Sequence, residues 1–278
     1  MNPNEIRETA EQPLRILLVA RDHLGYAAME DFLAPAETSH GKRWIGAQML
    51  HRAEDPGAEG EFDLVLSEPG ACMPGDLGGP VFRFDRDKPQ AVVQEIIGQY
   101  DHVVLPLARV FPAFRTAAVA KTIHTVSREN AVFSIMTALP NILPSIGQLP
   151  WAVGEFASDT AVLTVNQIRM AFLLAAASDR EVGYREQRAE IGSIIAGAWG
   201  WRSLARELTS KIPFGGGLIP KAAIAYAGTY VVGQSLERLY RIGYTMTRHE
   251  REEAYGKAFA RGKEVASNIL SRLRNSEE

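Results

Sequence analysis

The sequence predicts an α/β N-terminal domain with a parallel sheet, followed by an all-α helical bundle. Up to about residue 110, short apolar runs alternate with helical patterns, as parallel strands joined by crossover helices do. From about Thr116 onward the strand signal fades and long segments of helical period take over. The chain has 278 residues, of which 46% are hydrophobic and 23% charged, the profile of a globular protein with ample core material.

The polar, acidic start MNPNEIRETAEQP is the reverse of a signal peptide and predicts a disordered N-terminus over 1–13. The α/β domain is expected over 14–115. Its apolar and helical runs are, in order, LRILLV, GYAAMEDFL, RWIGAQML, FDLVLS, PVFRF, AVVQEIIGQY and DHVVLPL. The spacers EDPGAEGE and PGDLGGP carry the residues of loops. A helical domain follows over 116–246, with periodic segments at 116–137, 151–178, 184–210 and 218–246. The C-terminal helix, over 248–274 within residues 247–278, is amphipathic. Tyr255, Phe259, Ala266 and Leu273 recur at helical spacing, while Arg251, Lys257, Arg261 and Lys263 face outward among glutamates.

A net charge of −3 creates no field that would recruit nucleic acid, so no such partner is expected. One cysteine, Cys72, rules out an intramolecular disulfide and suits a reducing compartment, which points to the cytoplasm. Residues 131–154 carry no charge over a length that would cross a bilayer, for which about 20 residues suffice. Pro140, Pro144 and Pro150 would interrupt a helix there three times, so a buried connection between domains is expected. The uncharged stretch 222–236 is short for a span and reads as the central helix of a bundle. Paired with 131–154 in a re-entrant hairpin, it would instead contact lipid, and the inner-membrane surface is the alternative location.

The stretch ARDHLGYA, Ala20 to Ala27, directly follows LRILLV and has the length of the phosphate-binding pattern G-x-x-x-x-G-K-[ST]. Ala20 stands at the first glycine and Gly25 keeps the second. Tyr26 replaces the lysine that would meet the β- and γ-phosphates, and Ala27 replaces the hydroxyl that would hold Mg²⁺. FDLVLSEPG then resembles a D-x-x-G element at a strand end, with Ser67 at the aspartate position and Gly70 at the glycine. An N-K-x-D guanine-reading element is missing. Two degenerate matches in order resemble a degenerate GTPase-like domain. A flavodoxin-like or receiver-like start fits the same strand, turn and helix; it would use Asp22 and Met73 to Gly75, but Ser67-Glu68 replaces a phosphorylatable aspartate. The sheet is therefore expected to be Rossmann-like or degenerate P-loop-like, with no cofactor and no catalytic residue. No G-x-S-x-G turn occurs, and the six histidines lack metal-ligand spacing.

The second half carries a further resemblance. NQIRM (Asn166 to Met170), the R-x-x-x-R of WRSLAR (Arg202, Arg206) and KIPFGGGLIPK (Lys211 to Lys221) resemble a helical domain of unknown function. That domain follows the GTPase domain in some Era-like bacterial GTPases and occurs in YcjF-type membrane-associated proteins. The resemblance covers roughly 137–246 and implies a GTPase-like neighbour, decayed or divergent, without implying a reaction. By their spacing, Asp159, Asn166 and Gln167 form a polar stripe on a mostly apolar helix, and such a stripe must find partners. Arg202 and Arg206 are expected to supply them, in a buried network or at a polar ligand. Gly215, Gly216 and Gly217 ahead of Lys221 read as a helix connection, with anion binding as the alternative.

These readings converge on a non-catalytic interaction or scaffold protein, with a protein partner or self-association, or the inner-membrane surface, as its contact. Two alternatives stand beside it. One is an unconventional GTP- or GDP-binding regulator in which Arg21 or Lys221 replaces the missing lysine. The other is an integral or re-entrant membrane protein.

Overall fold

The computed structural model describes residues 2–56, 58–75, 77–137, 159–197 and 217–275. The chain divides into two compact units, Asn2–Lys121 with Ala175–Val182, and Thr122–Leu174 with Gly183–Glu278. The first is α/β and the second is helical.

The α/β unit opens with α1 (Pro3–Glu11) where a disordered N-terminus is expected from the sequence. Asn2 caps this helix through its side chain, which accepts from the Asn4 N–H, and proline occupies its first turn. Ala10 is buried and Glu11 pairs with Arg109 at 3.0 Å. These long-range contacts anchor α1 and are invisible in its polar sequence.

Strand β1 (Ile16–Val19) is buried throughout, as a strand covered on both faces must be. Helices α2 (His23–Leu33) and α3 (His40–Met49) lead to β2 (Leu50–Arg52), so RWIGAQML ends a helix and begins a strand. β3 (Gly60–Glu61), β4 (Leu64–Ser67), β5 (Leu77–Gly78) and β6 (Val81–Arg83) follow. Four strands form one parallel sheet in the order β2-β1-β4-β6, and β3 pairs with β5 separately. Ile16 lies opposite Leu50 on one side and Leu64 on the other, and Val19 opposite Ser67. The chain thus leaves β1 first to one side and then to the other. In an open doubly wound sheet this reversal opens a crevice at the carboxyl ends of the two central strands.

Helices α4 (Pro89–Gln99) and α5 (Asp101–Val110) follow the sheet. DHVVLPL, the last of the runs named above, belongs to α5. Val103, Val104 and every residue from Pro106 to Val110 are buried, so the run is covered nearly all round and periodicity does not separate it from a buried strand. Pro106 is tolerated inside this helix: the carbonyl one turn earlier belongs to exposed His102, where water can bond it.

Helices α6 (Pro112–Met136) and α7 (Asp159–Ala177) each contribute to both units. The helical unit adds α8 (188–197), α9 (Leu218–Ile242) and α10 (Arg248–Asn275). α9 and α10 pack along one another. Gly262 permits the contact: a Cβ there would lie 3.0 Å from the backbone of Ala223. Gly243, at φ +86°, ends α9 in the left-handed conformation and donates its N–H to Leu239. Thr247 then opens α10 with a reciprocal cap, its hydroxyl accepting from the Glu250 N–H while the Glu250 carboxylate accepts from the Thr247 N–H at 2.7 Å. Ala131, Ile135, Ala222, Tyr226 and Ala266 form one core of this unit, and Ala227, Val231, Tyr255 and Ala258 another. The stretch 222–236 therefore buries its small residues against neighbouring helices. No helix among the described residues is long and apolar enough to cross a membrane. Most of 131–154, from 138 on, lies outside the described residues, as does the expected helix beyond residue 197.

Candidate functional site

The crevice between β1 and β4 gathers the ends of three strands. β1 delivers Arg21 and Asp22, β4 delivers Glu68 and the turn after β6 delivers Arg86. Glu68 is fixed from its backbone, because its N–H donates to the Val19 carbonyl at 2.8 Å and continues the ladder one residue past β4. Its side chain is only 2% exposed. One carboxylate oxygen, Oε1, accepts from Arg21 Nη2 at 3.1 Å and from Arg86 Nε at 2.7 Å. The other, Oε2, accepts from the Arg21 N–H at 3.1 Å. Asp22 caps α2, with Oδ1 taking the Gly25 N–H at 2.8 Å and Arg86 Nη2 at 3.3 Å.

Burial by itself pushes the Glu68 carboxyl up, but the Arg21 side chain and N–H and the Arg86 guanidinium outweigh it and hold the group below its ordinary range. The Arg21 guanidinium is correspondingly raised, first by its hydrogen bond to Glu68 and then by that carboxylate's charge. A buried carboxylate without such partners would be strongly unfavourable.

Of the residues aligned above with the phosphate-loop pattern, Ala20 and Gly25 meet at this cluster. Ala20 follows β1, and its Cβ lies 2.7 Å from the point where a Gly25 Cβ would stand. That same point is 2.6 Å from Glu68 Oε2 and 2.9 Å from Arg86 Nη2, so only glycine fits against the carboxylate. Tyr26 is buried, with the Arg52 guanidinium 5.4 Å from its ring centre, and burial raises its phenol. Ala27 is exposed on α2. Ser67 ends β4, and Gly70 turns the chain at φ +78°. Arg86 escaped the sequence reading; its signal is its place just past the strand-like run PVFRF.

In the helical unit, Asn166 Nδ2 donates to Asn130 Oδ1 at 2.7 Å, and Asn130 Nδ2 donates to Thr229 Oγ1 at 2.7 Å. Gln167 Nε2 reaches the same hydroxyl at 3.3 Å. Asn130 and Thr229 are fully buried, and the network joins α6, α7 and α9. Arg202 and Arg206, the partners expected from the sequence, lie outside the described residues, as do Gly215, Gly216 and the Asp159 side chain. Gly217 caps α9 through its backbone, and Lys221 Nζ reaches Thr137 Oγ1 at 3.5 Å. Among the described residues no group of three or more His, Cys, Asp or Glu side chains is placed to hold a metal ion.

The fold and this crevice define the chain as an α/β unit of doubly wound strand order joined to a helical unit. It matches no protein-family model, no curated protein and no solved structure.

Proposed function

We propose that this chain is a non-catalytic interaction protein, in which an α/β unit with no working nucleotide site acts as scaffold beside a helical partner-binding unit. One observation carries the reading. The place where a doubly wound sheet receives a ligand is filled by the Glu68 carboxylate, and both nearby arginines are engaged with it. A nucleotide phosphate entering the crevice would meet a buried negative charge, without the lysine or hydroxyl that a phosphate loop needs. Arg21, the residue considered as a lysine substitute, is engaged with Glu68. Exposed Leu24 (72%) and Trp44 (61%) support a protein contact, since large apolar side chains and tryptophan above all anchor interfaces. On this reading the partner is another protein or a second copy of the chain.

The test is titration of the purified chain with fluorescent GTP and GDP, with and without Mg²⁺. No saturable binding is expected up to about 1 mM, and a Kd below about 10 μM would overturn the proposal.

A further inference from the structure

We infer that the crevice between the ends of β1 and β4 is an oxyanion site which the chain fills with its own Glu68 carboxylate. The external group it would take in that side chain's place is a phosphate. The inference deepens the reading above and concerns the same residues.

Four features of a built anion site are present together. Glu68 accepts from a backbone N–H and from two guanidinium groups, a donor set suited to oxyanions in general. The carboxylate lies against the first turn of α2, which Asp22 caps and where Gly25 leaves the room. The position is the switch point of the sheet. Both guanidinium groups reach solvent, with Arg21 55% and Arg86 36% exposed, so the rim of the site opens outward while the anion is buried.

Charge decides which ligand fits. Arg21 and Arg86 are balanced by Glu68 and Asp22. Removing the Glu68 carboxylate leaves one net positive charge around an emptied, donor-lined space, which suits a phosphate anion. In the native chain the tethered carboxylate competes at a high effective concentration, so free phosphate does not displace it.

The experiment compares the full chain with its Glu68→Ala variant, using calorimetric titration and thermal unfolding in inorganic phosphate against chloride at matched ionic strength. The wild type is expected to show no saturable phosphate binding below about 10 mM, whereas Glu68→Ala binds at least tenfold more tightly and melts higher in phosphate than in chloride. Adding Arg86→Ala to that variant is expected to abolish the gain. If Glu68→Ala does not fold, Glu68→Ser, which keeps one acceptor, is measured in the same way. Phenyl phosphate is titrated in parallel. Binding of both anions points to a phosphate carried on a larger molecule, and binding of inorganic phosphate alone points to the free ion. A folded Glu68 variant with no phosphate-specific binding or stabilisation overturns the inference and leaves the proposed function untouched. Tight nucleotide binding by the wild type would overturn the proposed function instead.

Discussion

At the scale of single residues, Gly25 and Glu68 depend on one another. Gly25 has no unusual backbone angle to justify it, and its reason is the carboxylate oxygen 2.6 Å from where a Cβ would be. A Gly25→Ala substitution therefore overpacks a site whose other wall is the Ala20 methyl. It is expected to destabilise the α/β unit by about 1–3 kcal/mol, read from urea unfolding, despite alanine's higher helix propensity. An unchanged or raised midpoint would show that the carboxylate moves aside at no cost. The glycine and its phosphate-loop spacing were legible in the sequence. The role of its neighbour was not, because Glu68 acts through Arg86, a residue 18 positions on that only the β4–β6 pairing brings alongside.

At the scale of elements, the turn between α9 and α10 shows how local chemistry fixes a helix pair. Gly243 stops one helix and the Thr247–Glu250 cap starts the next. Glu250 also accepts from Arg238 at 2.6 Å, which ties the cap to α9. Its carboxyl is held at about 2, first by Arg238 and then by Thr247. Thr247→Ala removes one half of this cap and is expected to cost about 1 kcal/mol in denaturant unfolding. A loss near zero would show that the Arg238–Glu250 pair alone positions the start of α10. A glycine stop and a T-x-x-E start were readable as local signals, although the segment expected above runs on to 246, past Gly243. α1 and α5 were not, since their helical state rests on contacts with distant residues such as the Glu11–Arg109 pair.

At the scale of the whole molecule, His124 opens a less acid window in the helical unit alone, while Glu250 there and Glu68 in the α/β unit share the window below 4.5. In the helical unit His124 Nδ1 lies 2.9 Å from the Tyr226 hydroxyl and its ring 5.2 Å from that of Tyr230. Burial first, and then the charge of Arg261, hold its imidazole below the ordinary 6.5. A group depressed in the folded state contributes stability that is present above its unfolded value and lost as the pH falls through the folded one. His124 therefore begins to weaken the helical unit below about pH 6.5. Glu68, depressed from 4.5 by its arginines, weakens the α/β unit only in the more acid range below that value. Calorimetric scans are expected to show two transitions separating as the pH falls from about 6.5 to 4.5, with His124→Asn flattening the helical unit's slope there and Glu68→Gln the α/β unit's slope below that range. A single transition with one common pH slope would contradict this.

The class of the fold, the helical character of the second half and the replacement of the phosphate-loop lysine and hydroxyl by Tyr26 and Ala27 are all legible in the chain's local pattern. Periodicity, glycine placement and the loss of a lysine and a hydroxyl are local properties. Tertiary structure alone decided what occupies the crevice. Arg21, Glu68 and Arg86 follow three different strands, and parallel pairing brings their ends together at β1, β4 and β6. It also decided that Asn166 and Gln167 meet Asn130 and Thr229. A buried polar group must be satisfied, and the chain's long-range pairing determines which residue satisfies it.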